Sequence, residues 1–362
     1  MRISTNMFHS QGVTSIQSHQ GDVLDMQLKL STGKRVNAPG DDPVAMNQIH
    51  SLNRTMNTID QYAKNGEYAK TQLVLEETAI TDTIDSIQRA RELSIQMLNG
   101  TYSDDDKAST AAEIDEIVLQ VKNMMNFSNS EGELIFAGSS VFAEAAFVED
   151  VNNPGYYAYI GSANAAGQVE SDGVTAVHDP LANYGSRFVQ IGFDADNKVN
   201  PDDQGDSSRV RITDNGANVF AMDASLTPGN LDSTTGVDNN ILNVLVNLSN
   251  LLKGNASEPI AVENGNPANT APTLDDIVGQ MDNAIDNMSK VRAEIGGRQN
   301  RIESQYNAGE AFKLSLEEQR LNLEEMDIVE GVTELTKSQN ALQMAQQVFT
   351  RVQDMSLFNY LR

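Results

Sequence analysis

The chain has 362 residues, a formal net charge of −26, and neither cysteine nor tryptophan. That length favours two or more domains, and the acidic balance argues against nucleic acid and membrane surfaces as partners, since both demand clustered Lys and Arg. Without cysteine, disulfides, thiolate nucleophiles and cysteine-ligated zinc are excluded.

The stretch from Met1 to Gln20 has no apolar core behind a basic start, and no later run approaches the roughly 18 apolar residues of a membrane span. Neither a cleavable signal peptide nor a membrane anchor is therefore expected. His9, Ile16, Val23 and Leu30 recur one heptad apart and predict an amphipathic helix from about Asn6 to Leu30. Gly12, His19, Gln20 and Gln27 interrupt its stripe, and a short helix standing alone is marginal in water because its nucleation is costly.

LSTGKRVNAPGDDPVA follows, from Leu30 to Ala45. Gly33-Lys34 resembles the end of a phosphate loop, but that motif needs a glycine where Leu28 stands and a hydroxyl where Arg35 stands. The stretch reads instead as a stop, a turn and a start. Gly33 ends the first helix, with Lys34 and Arg35 beside its exposed carbonyls. Asp42 caps the next helix and Pro43 takes its first position, where a missing N–H costs nothing.

From Ala45 onward, apolar residues fall at gaps of four and three: Ala45, Ile49, Leu52, Met56, Ile59, Ala63, then Leu73, Ile80, Ile84, Ile87 and Leu98. This is a coiled-coil seam along one long helix, its register running through Gly66, Lys70, Glu77, Arg91 and Ser94. Asn99-Gly100 ends it. A further helix opens at Ser103, with Asp104, Asp105 and Asp106 at the positive end of its dipole and Ile114, Ile117, Val121 and Met124 as its stripe.

Between about Glu133 and Pro272 the helical period is lost. Gly, Asn, Asp and Pro punctuate short β-type runs, YYAYIG, RFVQIGF, SRVRIT and ANVFAM, which predict a small inserted sheet domain. Ile241, Val244, Leu248 and Leu251 predict one amphipathic helix lying on it. After Thr273, which with Asp276 forms a cap signature, the seam returns through Ile277, Met281, Ala284, Met288, Val291, Ile295, Ile302, Phe312, Leu316, Leu323 and Met326. Leu321, Ile328, Leu335, Leu342 and Phe349 then lie one heptad apart.

The chain lacks a recognisable catalytic constellation. Asp194 to Asp206 is rich in Asp but misses the EF-hand pattern at Lys198, Val199 and Gly205. His9, His19, His50 and His178 are isolated, and no G-x-S-x-G elbow occurs. Neither enzyme activity nor a cofactor or metal is expected. The methionines on the helical stripes read as adaptable packing.

Each narrow stripe needs a partner helix, so the two chain ends are expected to pair. The resulting fold class is mainly α with an inserted β-rich domain, its N- and C-terminal helices paired as a coiled-coil bundle. Residues 1–42 with 327–362 would form a terminal-helix domain, 43–135 with 273–326 a long-helix bundle, and 136–272 the insert.

L-S-T-G-K-R-V-N-A-P-G-D-D-P at Leu30 to Pro43 resembles the N-terminal signature of the bacterial flagellin family. MRISTNM at Met1 to Met7, GELIFAGS at Gly132 to Ser139 and DMSLFNYLR at Asp354 to Arg362 agree in order. Gly40, Pro43 and the last of these motifs are closer to the branch that joins hook and filament than to filament flagellin. The insert matches only in general character, and LEEMDIVEG at Leu323 to Gly331 departs from flagellin.

The resemblance implies a rod-like structural subunit of the extracellular flagellum, exported unfolded through the flagellar type III channel. It further implies a homo-oligomeric ring between the first junction protein and flagellin, served by an export chaperone. The terminal helices would form the inner tube and be disordered in the monomer, and the insert would face outward. Ile16, Val23, Leu30, Leu321, Ile328, Leu335, Leu342 and Phe349 are the expected assembly seam, and Gly33, Lys34, Arg35, Asn37, Asp41, Asp42 and Pro43 the connector motif. Filament flagellin itself, or a secreted coiled-coil needle-tip or adhesin-like protein, are the alternatives.

Overall fold

A computed structural model describes residues 5–98, 102–140, 143–151, 153–160, 185–193, 208–222, 237–262, 266–267 and 272–360. His178 and the acidic loop 194–206 lie outside these residues. Seven helices are described: α1 (Thr5–Thr32), α2 (Pro43–Met97), α3 (Asp104–Met125), α4 (Gly216–Val219), α5 (Ile241–Leu252), α6 (Leu274–Glu324) and α7 (Ile328–Tyr360). Six short strands form antiparallel pairs: β1 (Phe147–Glu149) with β2 (Tyr157–Tyr159), β3 (Phe188–Gln190) with β4 (Arg209–Arg211), and β5 (Ala261–Val262) with β6 (Asn266–Pro267). The chain is thus mainly α with a strand-bearing insert, as the loss of helical period after Glu133 predicts.

Two compact units are present, residues 1–60 with 310–362 and residues 61–309. Within the second, α2 and α6 run antiparallel. Arg91 pairs with Asp282 near one end, and Gln299 donates to Glu77 at 3.0 Å farther along. Gly66 lets the helices approach closely, since a Cβ there would stand 3.2 Å from Ile302. Leu73, Ile80, Ile87, Ile277, Met281, Ala284, Met288 and Ile295 are all fully buried, so the four-three seam is a true core ridge.

The ridge departs from its predicted course at several places, Phe312 among them, which is exposed. Leu98 is exposed and Met97 takes the core position, while Met125 rather than Met124 closes the stripe of α3. Glu77 is half-buried and its neighbour Glu76 is fully enclosed. A helix turning at 3.6 residues drifts against a strict heptad, so neighbouring positions succeed one another along a long seam.

The caps follow the sequence. Ser103 accepts from the Asp106 backbone N–H at 3.2 Å and Asp106 accepts from that of Ser103 at 3.1 Å, a reciprocal capping box at the start of α3. Thr273 and Asp276 repeat it at the start of α6.

Two expectations for the insert are corrected. ANVFAM contributes α4 rather than a strand, because Asn215 accepts from the Ala217 N–H at 2.8 Å and nucleates a helical turn. The helix predicted to be amphipathic and to lie on the sheet, α5, is buried nearly all round. It packs on α3, where Asp115 takes Ser249 at 2.5 Å and Lys253 at 2.6 Å, and its own Asn243 and Asn247 serve Tyr157 and Tyr156. Polar asparagines hide a buried helix because each satisfies a backbone or hydroxyl group that burial would otherwise strand.

GELIFAGS lies in the core of this unit. Leu134, Ile135, Phe136 and Ala137 are buried, and Phe136 stacks edge-on against Phe220 at 4.7 Å between centroids. Phe147 joins Tyr159 and Phe220 in the same cluster. Gly216 admits these rings, since a Cβ there would meet Phe147 at 2.9 Å.

Candidate assembly site

All predicted site residues belong to the unit formed by 1–60 and 310–362. The connector does what its residues suggest locally. α1 stops at Thr32, Gly33 turns with φ of 70°, and that left-handed backbone is one L side chains rarely adopt. Asp42 accepts from Val44 and Ala45 N–H at 3.1 and 3.0 Å, capping α2 ahead of Pro43. These bonds, the Ala45 one foremost, hold the Asp42 carboxyl below its usual range.

Asp41 organises the turn. One oxygen accepts from the Asn37 and Ala38 N–H groups at 3.0 and 2.9 Å, and the other meets Lys29 at 3.1 Å. The Ala38 and Asn37 amides, then Lys29, depress its carboxyl affinity for protons. Asn37 donates to the Lys34 carbonyl at 3.3 Å, which fixes the middle of the turn.

Lys34 and Arg35 reach a different target from the one predicted. They do not serve the carbonyls of α1; they meet the end of α6, almost the whole chain away. The Arg35 N–H donates to Glu324 O at 2.7 Å and the Met326 N–H to Gly33 O at 3.0 Å, a short antiparallel bridge. Arg35 also donates to Leu323 O at 3.1 Å, and Lys34 pairs with Glu324. Two cations thus sit at the negative end of the α6 dipole. Beneath them Val36, Ala45 and Ile49 are buried with Leu323 against them. LEEMDIVEG is therefore the other half of a clasp, and its Asp327 caps α7 by accepting from Val329 N–H at 2.8 Å.

α1 and α7 pack antiparallel, with Gly12 beside Phe349 near one end and Leu30 beside Gly331 near the other. His9, Gly12, Ile16, His19, Val23, Met26 and Leu30 face inward on α1, alternating gaps of three and four. Leu335, Ser338, Leu342, Ala345 and Phe349 do so on α7. Ile16, Val23, Leu30, Leu335, Leu342 and Phe349 are thus brought to one seam. Leu321 and Ile328 are not: Leu321 lies on α6, before the break, and Ile328 is 69% exposed at the first turn of α7.

Gly12 is more than an interruption. A Cβ there would stand 2.6 Å from the Phe349 ring, and one on Gly331 would stand 2.9 Å from Leu30. Each glycine seats a large side chain of the opposite helix, and His9 completes the Phe349 seat edge-on at 5.1 Å. Sequence reasoning missed this role; the signal was a glycine on the heptad stripe of an otherwise helical segment.

The seam is narrow and leaves a second apolar set uncovered. Leu24 is 63% exposed on α1, while Val329 at 77% and Met344 at 66% stand out on α7. A shallow groove of about 580 Å³ runs along α7 from Val332 to Met344. Among the described residues no group of three His, Cys, Asp or Glu is placed to hold a metal ion, and no helix is long and apolar enough to cross a membrane.

This is a flagellin-type architecture, terminal helices folded onto one another with a strand-bearing insert in the middle of the sequence. The signature of the bacterial flagellin N-terminal helical region matches residues 3–141 and that of the bacterial flagellin C-terminal helical region residues 278–361. Together these cover more than half of the chain, which belongs to the bacterial flagellin family. Over its whole length it is similar to flagellar hook-associated protein 3 of Escherichia coli (strain K12), at 29% identity across 99% of both chains. A flagellar filament 33 kDa core protein of Treponema phagedenis matches at 28% identity but covers 53% of this chain and 72% of its own. A solved putative flagellar hook-associated protein of Vibrio parahaemolyticus shares the fold, with a TM-score of 0.54 and 18% identity over 79% of this chain and all of that one.

Proposed function

We propose that this chain is a structural, non-enzymatic subunit of the bacterial flagellum, an adapter joining the hook side to the flagellin filament. The observation that carries the reading is the extent of likeness: hook-associated protein 3 aligns from end to end, insert included, whereas the filament core protein aligns over about half. A filament subunit remains the alternative, favoured only by the shared terminal regions.

In this reading copies form a ring outside the cell, between the first junction protein and flagellin. They arrive through the flagellar type III channel with an export chaperone. Residues 1–42 and 327–362 make the inner tube, 43–135 and 273–326 the layer around it, and 136–272 faces outward. Ile16, Val23, Leu30, Leu335, Leu342 and Phe349 pair the two ends of one subunit. Leu321 and Ile328, exposed in the single chain, wait for a neighbour, as do Leu24 and Met344. Burial of such a set on assembly couples the ordering of the ends to binding.

The test is removal of residues 327–362. Cells carrying that truncation should secrete flagellin into the medium instead of building filaments. Normal motility would defeat the junction reading, and a label spread along the filament rather than at one basal spot would favour the filament subunit.

A further inference from the structure

Glu76 lies on α2 with no exposed surface, and neither of its carboxyl oxygens meets a hydrogen-bond donor. Around it is a closed set of ion pairs. Arg298 of α6 donates to both oxygens of Asp214, at 2.7 and 3.2 Å, and reaches Glu294 at 3.3 Å. Arg211 of β4 meets the same two acids, Asp214 at 2.6 Å and Glu294 at 3.2 Å. Two guanidinium groups and two carboxylates balance without Glu76, whose ionised form would place one surplus negative charge in a dry site facing Asp214. Desolvation first, then the Asp214 charge, push its carboxyl well above the usual glutamate range, against the opposing pull of Arg298 and Arg211.

We propose that Glu76 is a proton-operated latch: with its proton it closes the β4–α4 segment onto α2 and α6, and without it the segment is loosened. The protonated carboxyl donates to Asp214, which gives Glu76 the hydrogen bond that its other neighbours do not supply. Loss of that proton sets two carboxylates face to face under burial. The charged groups acting on Glu76 are Arg211 and Asp214 from β4 and the loop after it, and Arg298 from α6; the more exposed Glu294 pairs with both arginines. Glu76 is held above its ordinary range, the reverse of Asp41, Asp42, Asp106, Glu133 and Asp276.

The sign follows from linkage. A group whose proton affinity rises on folding contributes stability that is complete below the unfolded glutamate value and is lost as pH rises through the folded one. The contribution of Glu76 is therefore complete in mild acid and lost toward alkaline pH, opposite in sign to those of Asp106, Glu133 and Asp276 in the same unit.

The test compares the full chain with its E76Q variant, whose amide N–H supplies the donor at every pH. At pH 8, amide hydrogen exchange across residues 208–222 should be at least about tenfold slower in E76Q than in the wild type. The two proteins should converge as pH falls toward the ordinary glutamate range. A difference that stays constant with pH, or a wild type better protected at pH 8, would overturn the latch. If E76Q does not fold, infrared spectroscopy of the wild type decides: a buried neutral carboxyl C=O band that persists above the ordinary glutamate range and vanishes on further alkalinisation supports the proposal, and its absence sinks it.

Discussion

The helix pair α2–α6 in the middle unit and the helix pair α1–α7 in the terminal unit use the same four-three spacing to different ends. In the middle unit most ridge residues are enclosed, with Leu73, Ile80, Ile87, Ile277 and Met288 at zero exposure. Along α1–α7 the seam residues are half-buried, and large side chains stand in solvent beside them. A heptad seam thus specifies that helices pair; how dry the pair becomes depends on the third element that covers it. α3 and the insert do so for the middle unit; in the proposed function a neighbouring subunit does so for the ends.

Substitutions in the dry region should have the largest effect. Phe136→Ala removes a ring packed on Phe220 and is expected to cost about 3–5 kcal/mol of unfolding free energy, as deletion of a buried aromatic does. Chemical denaturation followed by far-ultraviolet circular dichroism measures it. A loss below about 1 kcal/mol would mean that the middle unit is no drier than the ends.

Gly331→Val attacks the other pair. Leu30 and the Met326 methyl already stand within 3 Å of where a Cβ would go, so overpacking should cost about 1–3 kcal/mol. Faster amide exchange should be confined to α1 and α7, with the denaturation midpoint of the middle unit unchanged. Spread of the effect into residues 61–309 would show that the two units do not unfold separately.

Acid should separate the regions by sign. Asp41 has its proton affinity lowered by the Ala38 and Asn37 amides and by Lys29, so its contribution is present above the ordinary aspartate value and is lost as pH falls through the depressed one. The connector should therefore open in strong acid, seen as faster exchange at the Asn37 and Ala38 amides. Asp41→Asn should remove that pH dependence.

The two regions also differ in how much of them the sequence discloses. Stops, caps and seams are local: Gly33, Asp42-Pro43, Ser103 and Thr273 act within a few residues of themselves, and all four behave as their types require. Lys34 and Arg35 were legible as helix-end cations, but the helix they serve is α6, a pairing across most of the chain that no local pattern carries. Gly12 reads as an interruption of its stripe, and nothing local marks Gly331, because a glycine's value lies in what approaches it. Within the insert, ANVFAM has strand composition, and the cap from Asn215 together with burial against Phe136 overrides it. Glu76 was invisible beside Glu77 because one position on a drifting helix decides which acid faces inward.

Met344→Gln should have the smallest effect on the isolated chain and the most informative one on assembly. Met344 is 66% exposed and lines the open groove of α7, so its replacement should leave monomer stability within about 0.5 kcal/mol, as surface changes usually do. Leu24→Gln on α1 should behave alike. If the uncovered set is the surface that neighbouring copies bury, cells carrying either variant should build fewer filaments and release more flagellin, although the purified chains unfold like the wild type. Unaltered filament numbers in both would place the assembly surface elsewhere, and would leave the half-dry seam of α1 and α7 as a property of the single chain alone.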